Sequence, residues 1–68
     1  MQPSLGPTVY RTSDGFLLAA VIVAIVESGP PWKVNVKAFD GGGGPDIFVA
    51  NAIARDGGDG TWFCTPPE

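Results

Sequence analysis

The sequence predicts one small all-β domain, and three observations lead to that prediction. Ten glycines and seven prolines in 68 residues require many turns, and many turns in a short chain favour strands over helices. The stretch WKVNVKAF alternates apolar and polar residues with the period of a half-buried strand. Apolar residues make up 44% of the chain and charged residues only 16%, which is typical of a folded domain and opposite to the composition of disordered segments.

The first twelve residues divide into an arm and a strand. Met1–Pro7 contains two prolines and one glycine, and we expect it to form an extended arm ahead of a domain that covers residues 8–68. Thr8–Thr12 is β-branched and aromatic, which predicts a short strand. Asp14-Gly15 follows and suits a tight type I′ hairpin turn, because glycine accepts the positive φ of that turn. The first strand should therefore pair antiparallel with the next segment.

Phe16–Val26, FLLAAVIVAIV, is the largest apolar segment of the chain. Its alanines are compatible with a helix, but its five β-branched residues and the flanking turn signals favour a strand. In a strand the residues of this segment alternate between two faces. One face holds Leu17, Ala19, Val21, Val23 and Ile25, and the other holds Phe16, Leu18, Ala20, Ile22, Ala24 and Val26. Both faces are apolar. Either the sheet closes into a small barrel around one face, or the second face contacts another chain.

The second half of the chain predicts three further strands. Glu27–Pro31 is a turn, and Trp32–Phe39 is a strand that buries Trp32, Val34, Val36 and Ala38. Asp40–Asp46 is a glycine-rich loop, and Ile47–Arg55 is a strand, with a short helix over Ala50–Arg55 as the alternative. As a strand it places on one side Ile47, Val49, Asn51, Ile53 and Arg55.

Asp56–Gly60 is the last predicted turn and Thr61–Thr65 the last strand. Five strands in this order form an antiparallel meander. Such a meander closes into a small SH3-like or OB-like barrel, or forms a small sandwich across a subunit boundary.

The residue types needed for catalysis and zinc binding are missing. The chain has no histidine, and Cys64 is its one cysteine, so neither a Cys/His zinc site nor a thiol paired with histidine can form. Cys64 lies in an apolar strand, where it is expected to act as a small buried side chain. We therefore expect no catalytic residues and no enzymatic activity.

The glycine-rich loops resemble ligand-binding loops only superficially. A phosphate-binding loop requires Gly-Lys followed by Ser or Thr, whereas DGGGGPD continues with Pro45 and Asp46. Four aspartates could offer oxygen ligands to calcium if the two loops met, but the chain lacks the spacing of a known calcium loop. Asp-Gly pairs are otherwise typical of turns. We expect no cofactor and no metal, and leave calcium binding open; the four residues are Asp40, Asp46, Asp56 and Asp59.

Charge and segment length argue against nucleic acid and membrane as partners. The net charge is −3 and the chain has four cations, Arg11, Lys33, Lys37 and Arg55, whereas binding to phosphate backbones needs clustered Lys and Arg. Eleven residues of helix span about 16 Å, against a hydrocarbon core of about 30 Å. The segment also lacks the flanks of a signal peptide.

Small size predicts association with another chain. A domain of this length is marginally stable without disulfides, metal or oligomerisation, and its residues exclude an internal disulfide. The outer face of the second strand is one candidate interface. Trp62 and Phe63 are adjacent aromatics on opposite faces of one strand, so one of them should point toward a partner. Lys33 and Lys37 are expected to keep their face soluble, or to dock an acidic patch. The candidate interface residues are Leu17, Val21, Val23, Ile25, Trp62 and Phe63.

The segments VNVKAFDGGGG and GTWFCTPP resemble a group of small virion structural proteins of tailed bacteriophages. The resemblance rests on Val34, Asn35, Phe39 and Asp40 in the first segment and on Gly60, Thr61 and Trp62 in the second. Phe63 and Cys64 depart from the His-Trp pair of that group. The resemblance covers about the second half of the chain and transfers no functional residue.

The resemblance implies a capsid decoration or cement protein that is located in the virion and contacts the major capsid protein, as an oligomer such as a trimer. A head–tail connector or tail component is one alternative. A small soluble protein-binding module that acts in the infected cell is another. Copy number in the particle separates these roles.

Overall fold

A computed structural model describes residues 3–29, 31–59 and 61–67. Met1 and Gln2 of the predicted arm, Pro30 and Gly60 of two predicted turns, and the terminal Glu68 lie outside the described residues. The described residues form five strands: β1 (Gly6–Arg11), β2 (Leu17–Glu27), β3 (Trp32–Ala38), β4 (Ile47–Asp56) and β5 (Trp62–Thr65).

The five strands form a closed barrel in chain order. Each strand pairs antiparallel with the next, and β1 pairs in parallel with β5 at Val9–Phe63 and Tyr10–Cys64. The hydroxyl of Thr8 donates to the carbonyl oxygen of Trp62 at 2.9 Å across this closing seam. The prediction of a small all-β meander closed as an SH3-like or OB-like barrel is confirmed. The helical alternatives for β2 and β4 are wrong, and so is the alternative of a small sandwich across a subunit boundary, because one chain closes the barrel by itself.

The barrel interior is filled by small and medium side chains. Val34, Val36 and Ala38 of β3 are fully buried, as the alternation of that strand predicts. They pack with residues from the other four strands, and Trp32 and Trp62 cover the cluster from its margin. Small residues suit this position because a five-stranded barrel leaves little interior room. The buried cluster consists of Tyr10, Ala20, Ile22, Val34, Val36, Ala38, Ala52, Ala54 and Cys64.

The turn between β1 and β2 is longer than the sequence predicts. The N–H of Thr12 donates to the carbonyl of Phe16 at 2.8 Å, and the N–H of Gly15 donates to the carbonyl of Thr12 at 2.9 Å. Gly15 has φ 90°. This is a three-residue loop in which glycine takes the left-handed position, so the predicted two-residue type I′ turn is wrong.

Two irregularities in β2 change the predicted division of its faces. The pairing with β3 shifts between Ile22 and Ala24 and again between Ile25 and Glu27. Ile25 consequently lies opposite Val34, whose side chain is fully buried. Because opposite residues share a face of the sheet, Ile25 lies on the inner side at the barrel rim. The prediction that it shares a face with Leu17 is wrong, since a β-bulge moves side chains to the other face.

A bulge in β4 has the same effect. Val36 pairs with Val49 and Val34 with Ala52, so two β4 residues oppose one residue of β3. One of them, Asn51, has φ 59°, and its N–H donates to the side-chain oxygen of Asn35 at 3.1 Å. Before the bulge Val49 lies inward, and after it Ala52 does. The predicted assignment of alternate β4 residues from Ile47 to Arg55 to a single side is therefore wrong.

Candidate interaction surface

An apolar surface covers the outside of β1 to β4 at the end of the barrel where β2 begins. The register places Val9 opposite Ala19 on β2. The N–H of Phe39 donates to the carbonyl of Ala19 at 2.9 Å. Phe39 therefore lies beside Ala19 on the side opposite Val9. The next row of outward positions is Val21, Lys37 and Phe48. We call this surface the outer apolar face, and it consists of Val9, Leu17, Ala19, Val21, Phe39 and Phe48.

The large side chains of the outer apolar face are well exposed. Leu17 is 63% exposed, Phe48 62%, Phe39 43% and Val9 40%. With about 200 Å² for a complete aromatic side chain, Phe48 alone presents about 120 Å². Together these side chains reach the range of several hundred Å² in which contiguous apolar patches mark interaction sites. The arrangement provides contact area but no reactive group.

Both lysines of β3 lie in ion pairs. The Nζ of Lys37 lies 3.5 Å from a carboxylate oxygen of Asp46. At the opposite end of the barrel, the Nζ of Lys33 lies 3.6 Å from a carboxylate oxygen of Glu27. Exposed pairs of this kind contribute little to stability, and Arg11 adds a positive charge beside Phe63. Because both lysines already contact a carboxylate of their own chain, the structure favours an apolar contact over docking of Lys33 and Lys37 on an acidic patch.

The structure brings together some of the interface residues predicted from the sequence. Leu17 and Val21 both belong to the outer apolar face, whereas Val23 lies at the first irregularity of β2 and is 47% exposed. Phe63 continues the surface next to Val9 across the closing seam. It is half-buried, with the Arg11 guanidinium 5.2 Å from its ring centroid.

Two of the predicted interface residues lie elsewhere. Ile25 is 37% exposed at the barrel rim, and Trp62 packs against the buried cluster. Sequence reasoning missed Val9, Phe39 and Phe48. The sequence did indicate an outward position for Phe39, because the alternation of the predicted strand places Phe39 on the same side as its polar residues.

The glycine-rich loops lie at opposite ends of β4. Asp40 accepts hydrogen bonds from the N–H groups of Gly42 at 2.8 Å and Gly44 at 3.1 Å. In the other loop Asp59 accepts from the hydroxyl of Thr61 at 2.5 Å and from its N–H at 3.1 Å. The hydroxyl of Thr61 is the main cause that lowers the pKa of Asp59. A ten-residue strand is about 33 Å long, so the two loops cannot share one calcium ion.

Within the described ranges no group of three or more potential metal-ligating side chains occurs. Asp40, Asp56 and Asp59 instead accept hydrogen bonds within their own turns, which is the ordinary use of Asp beside glycine, and Asp46 pairs with Lys37.

Cys64 and the groove beside β1 and β5 offer no acid or base. The thiol of Cys64 is fully buried, and burial is the main cause that raises its pKa. A groove of about 430 Å³ lies where β1 and β5 begin, and Thr8, Thr61 and Trp62 are among its lining residues. Its lining contains hydroxyls and apolar groups but no titratable side chain. Such a groove can hold an apolar group but cannot supply an acid or a base.

Comparison of the chain with protein-family models, with curated proteins and with solved structures gives no match. Among the described residues, no helix is long and apolar enough to span a membrane. The functional argument therefore depends on the surface described above and on the resemblance found in the sequence.

Proposed function

We propose that the chain is a non-enzymatic structural protein of a bacteriophage virion that decorates the capsid and stabilises joints between major capsid subunits. The observation that carries the proposal is the outer apolar face, which leaves large apolar side chains exposed on a very small barrel. A cement protein requires such a surface, because it gains stability by removing apolar area from water at the joint it covers.

Three further features support a structural role. The motifs around Asn35 and Trp62 resemble those of small phage virion proteins. The net charge of −3 limits non-specific contact with packaged nucleic acid. The aspartate turns, which hydrogen bonds hold in place, and the closed barrel form a compact scaffold that presents the outer apolar face, with a Cα radius of gyration of 11.0 Å.

The size of the face fits a contact that many copies share. A standard protein interface removes about 800 Å² per partner, which is roughly a fifth of the 4196 Å² accessible surface of this chain. The outer apolar face can form most of such a contact, with Arg11 at its border and Lys37, paired with Asp46, between Val21 and Phe48. Association through this face would also stabilise a domain that has few other means of support.

Binding of purified chain to empty capsid shells tests the proposal. Single replacements of Leu17, Val21, Val23 or Ile25 by Asp should abolish assembly or folding, because each buries a charge at an apolar contact or in the barrel rim. Ser28→Asp is the matched control, since it adds the same charge at an exposed turn far from the face. Circular dichroism separates loss of folding from loss of binding.

Each outcome has a defined meaning. Loss of binding by folded Leu17→Asp and Val21→Asp, with normal binding by Ser28→Asp, supports the proposal. Normal assembly by all four variants places the interface elsewhere. Recovery of the chain in tails or at the portal vertex, and not on shells, would assign it to a connector or tail role. Its absence from purified particles would assign it to the infected cell.

A further inference from the structure

One half of β4 has a strand on one side only. β5 pairs with Ile53–Asp56, the last part of β4. The first part pairs with β3 through Ile47, Phe48 and Val49. On its other side, no strand among the described residues pairs with it. We call residues 47–50 of β4 the open edge.

The hydrogen-bonding groups of Phe48 point toward the unpaired side. The N–H of Phe39 donates to β2, and backbone groups alternate in direction along a strand. Ala38 and Val36 therefore direct their groups toward β4, where they meet Ile47 and Val49. The intervening Phe48 must then direct its N–H and C=O away from β3. The Phe48 backbone thus offers one donor and one acceptor, which water solvates in the monomer and which an added strand would pair.

The side chains of the open edge are apolar and exposed. Its sequence is IFVA, with no charge and no proline, and Ile47 and Phe48 are 44% and 62% exposed. Natural proteins usually protect such an edge with lysine, proline or a bulge. Here Pro45 precedes the edge and the bulge at Asn51 ends it, so the edge is kept short but is not blocked.

We propose that two copies of this chain pair through their open edges, antiparallel about a two-fold axis at Phe48. This register puts Phe48 opposite Phe48 of the second copy and Ile47 opposite Val49. In this register outward-facing residues lie opposite outward-facing residues, and inward-facing opposite inward-facing. The outer sides of the two barrels therefore lie on the same side of the joined sheet. The two Phe48 residues exchange both of their backbone hydrogen bonds.

The edge fits a second copy of the chain better than an unrelated strand. The three central pairs are apolar, Ala50 lies opposite Asp46, and no like charges lie opposite each other despite the net charge of −3. A two-fold contact also consumes the edge of both copies, so the assembly closes as a dimer and does not grow into a fibre. This differs from the trimer that the sequence resemblance suggested. The inference goes beyond the proposed function and does not depend on capsid binding.

Sedimentation of the isolated chain over a range of concentrations tests the pairing. Wild-type protein should shift from monomer to dimer. Phe48→Pro removes the outward N–H without removing a bond to β3, which a strand tolerates at an edge. It should raise the dimer dissociation constant about tenfold or more and leave the barrel folded. Phe48→Lys should have a similar effect, because it places two like charges opposite each other at the axis.

Phe16→Lys is the matched control, because Phe16 is an aromatic residue, 68% exposed, in the turn between β1 and β2, and β3 separates β2 from β4. It should dimerise like the wild type. Amide hydrogen exchange gives a readout of the backbone itself: the Phe48 amide should exchange rapidly in the monomer and become protected in the dimer, while the Ile47 and Val49 amides stay protected in both.

Three results would overturn the pairing. The first is a monomeric mass at every concentration. The second is an assembled state in which the Phe48 amide remains unprotected, or in which Phe16→Lys disrupts assembly as strongly as Phe48→Lys. The third is protection of the Phe48 amide only after the monomer binds capsid shells, which would assign the edge to a capsid strand and leave the proposed capsid role intact.

Discussion

Replacing Ile22 by alanine should cost far more stability than replacing Leu17 by alanine, although both residues belong to β2. Ile22 is 2% exposed at the barrel centre, whereas Leu17 is 63% exposed on the outer apolar face. Ile22→Ala deletes three buried carbon groups, worth about 0.8 kcal/mol each, and leaves a cavity. We expect a total loss of about 3–4 kcal/mol. Leu17→Ala should change the unfolding free energy of the monomer by less than about 0.5 kcal/mol.

Urea unfolding followed by tryptophan fluorescence measures both variants, because Trp32 and Trp62 pack against the buried cluster. A chain of this length has about 3–10 kcal/mol of stability in total, so Ile22→Ala could be largely unfolded. Ile22→Val provides a milder variant with an expected loss of about 1 kcal/mol. Equal losses for Ile22→Ala and Leu17→Ala under monomeric conditions would refute the division of β2 into a core side and a contact side.

Three further predictions concern the turns, the bulge and the buried thiol. Asn51→Val should cost about 1–2 kcal/mol in urea unfolding because a β-branched residue resists φ 59°, while Asn51→Gly should be nearly neutral. Thr61→Val should raise the pKa of Asp59 toward its ordinary value, as an NMR titration can measure, because the main hydrogen bond that lowers this pKa is lost. Burial raises the pKa of Cys64, so the folded chain retains a proton that the unfolded chain releases. Stability should therefore fall as pH rises above about 8.5, the ordinary thiol pKa, and Cys64→Ala should reduce that fall.

The strand order could be predicted from the sequence because turn residues and apolar runs are local signals. Asp14-Gly15 and the glycine-rich loop after Phe39 separate the strands correctly. The alternation in β3 correctly predicts its buried side. The extra residues at the shifts in pairing belong to β2 and β4 and not to β3, so the alternation in β3 is not interrupted. These patterns depend only on backbone preferences and the two-residue period of a strand.

The outer face could be predicted only in part, because bulges depend on the neighbouring strand. The shifts after Ile22 and after Val49 arise where a short barrel must bend, and no residue type announces them. Asn51 is the one visible clue, since Asn adopts positive φ more readily than most residues. Exposure of Phe48 likewise depends on where β5 ends, which is a property of the whole barrel.

Quantitative mass spectrometry of purified particles tests the central claim most directly. The proposed capsid role predicts that the chain is present in a copy number comparable to that of the major capsid protein, and that it remains with shells when tails are removed. A copy number that fits a single ring would contradict decoration of the capsid. Absence of the chain from intact particles would contradict any virion role.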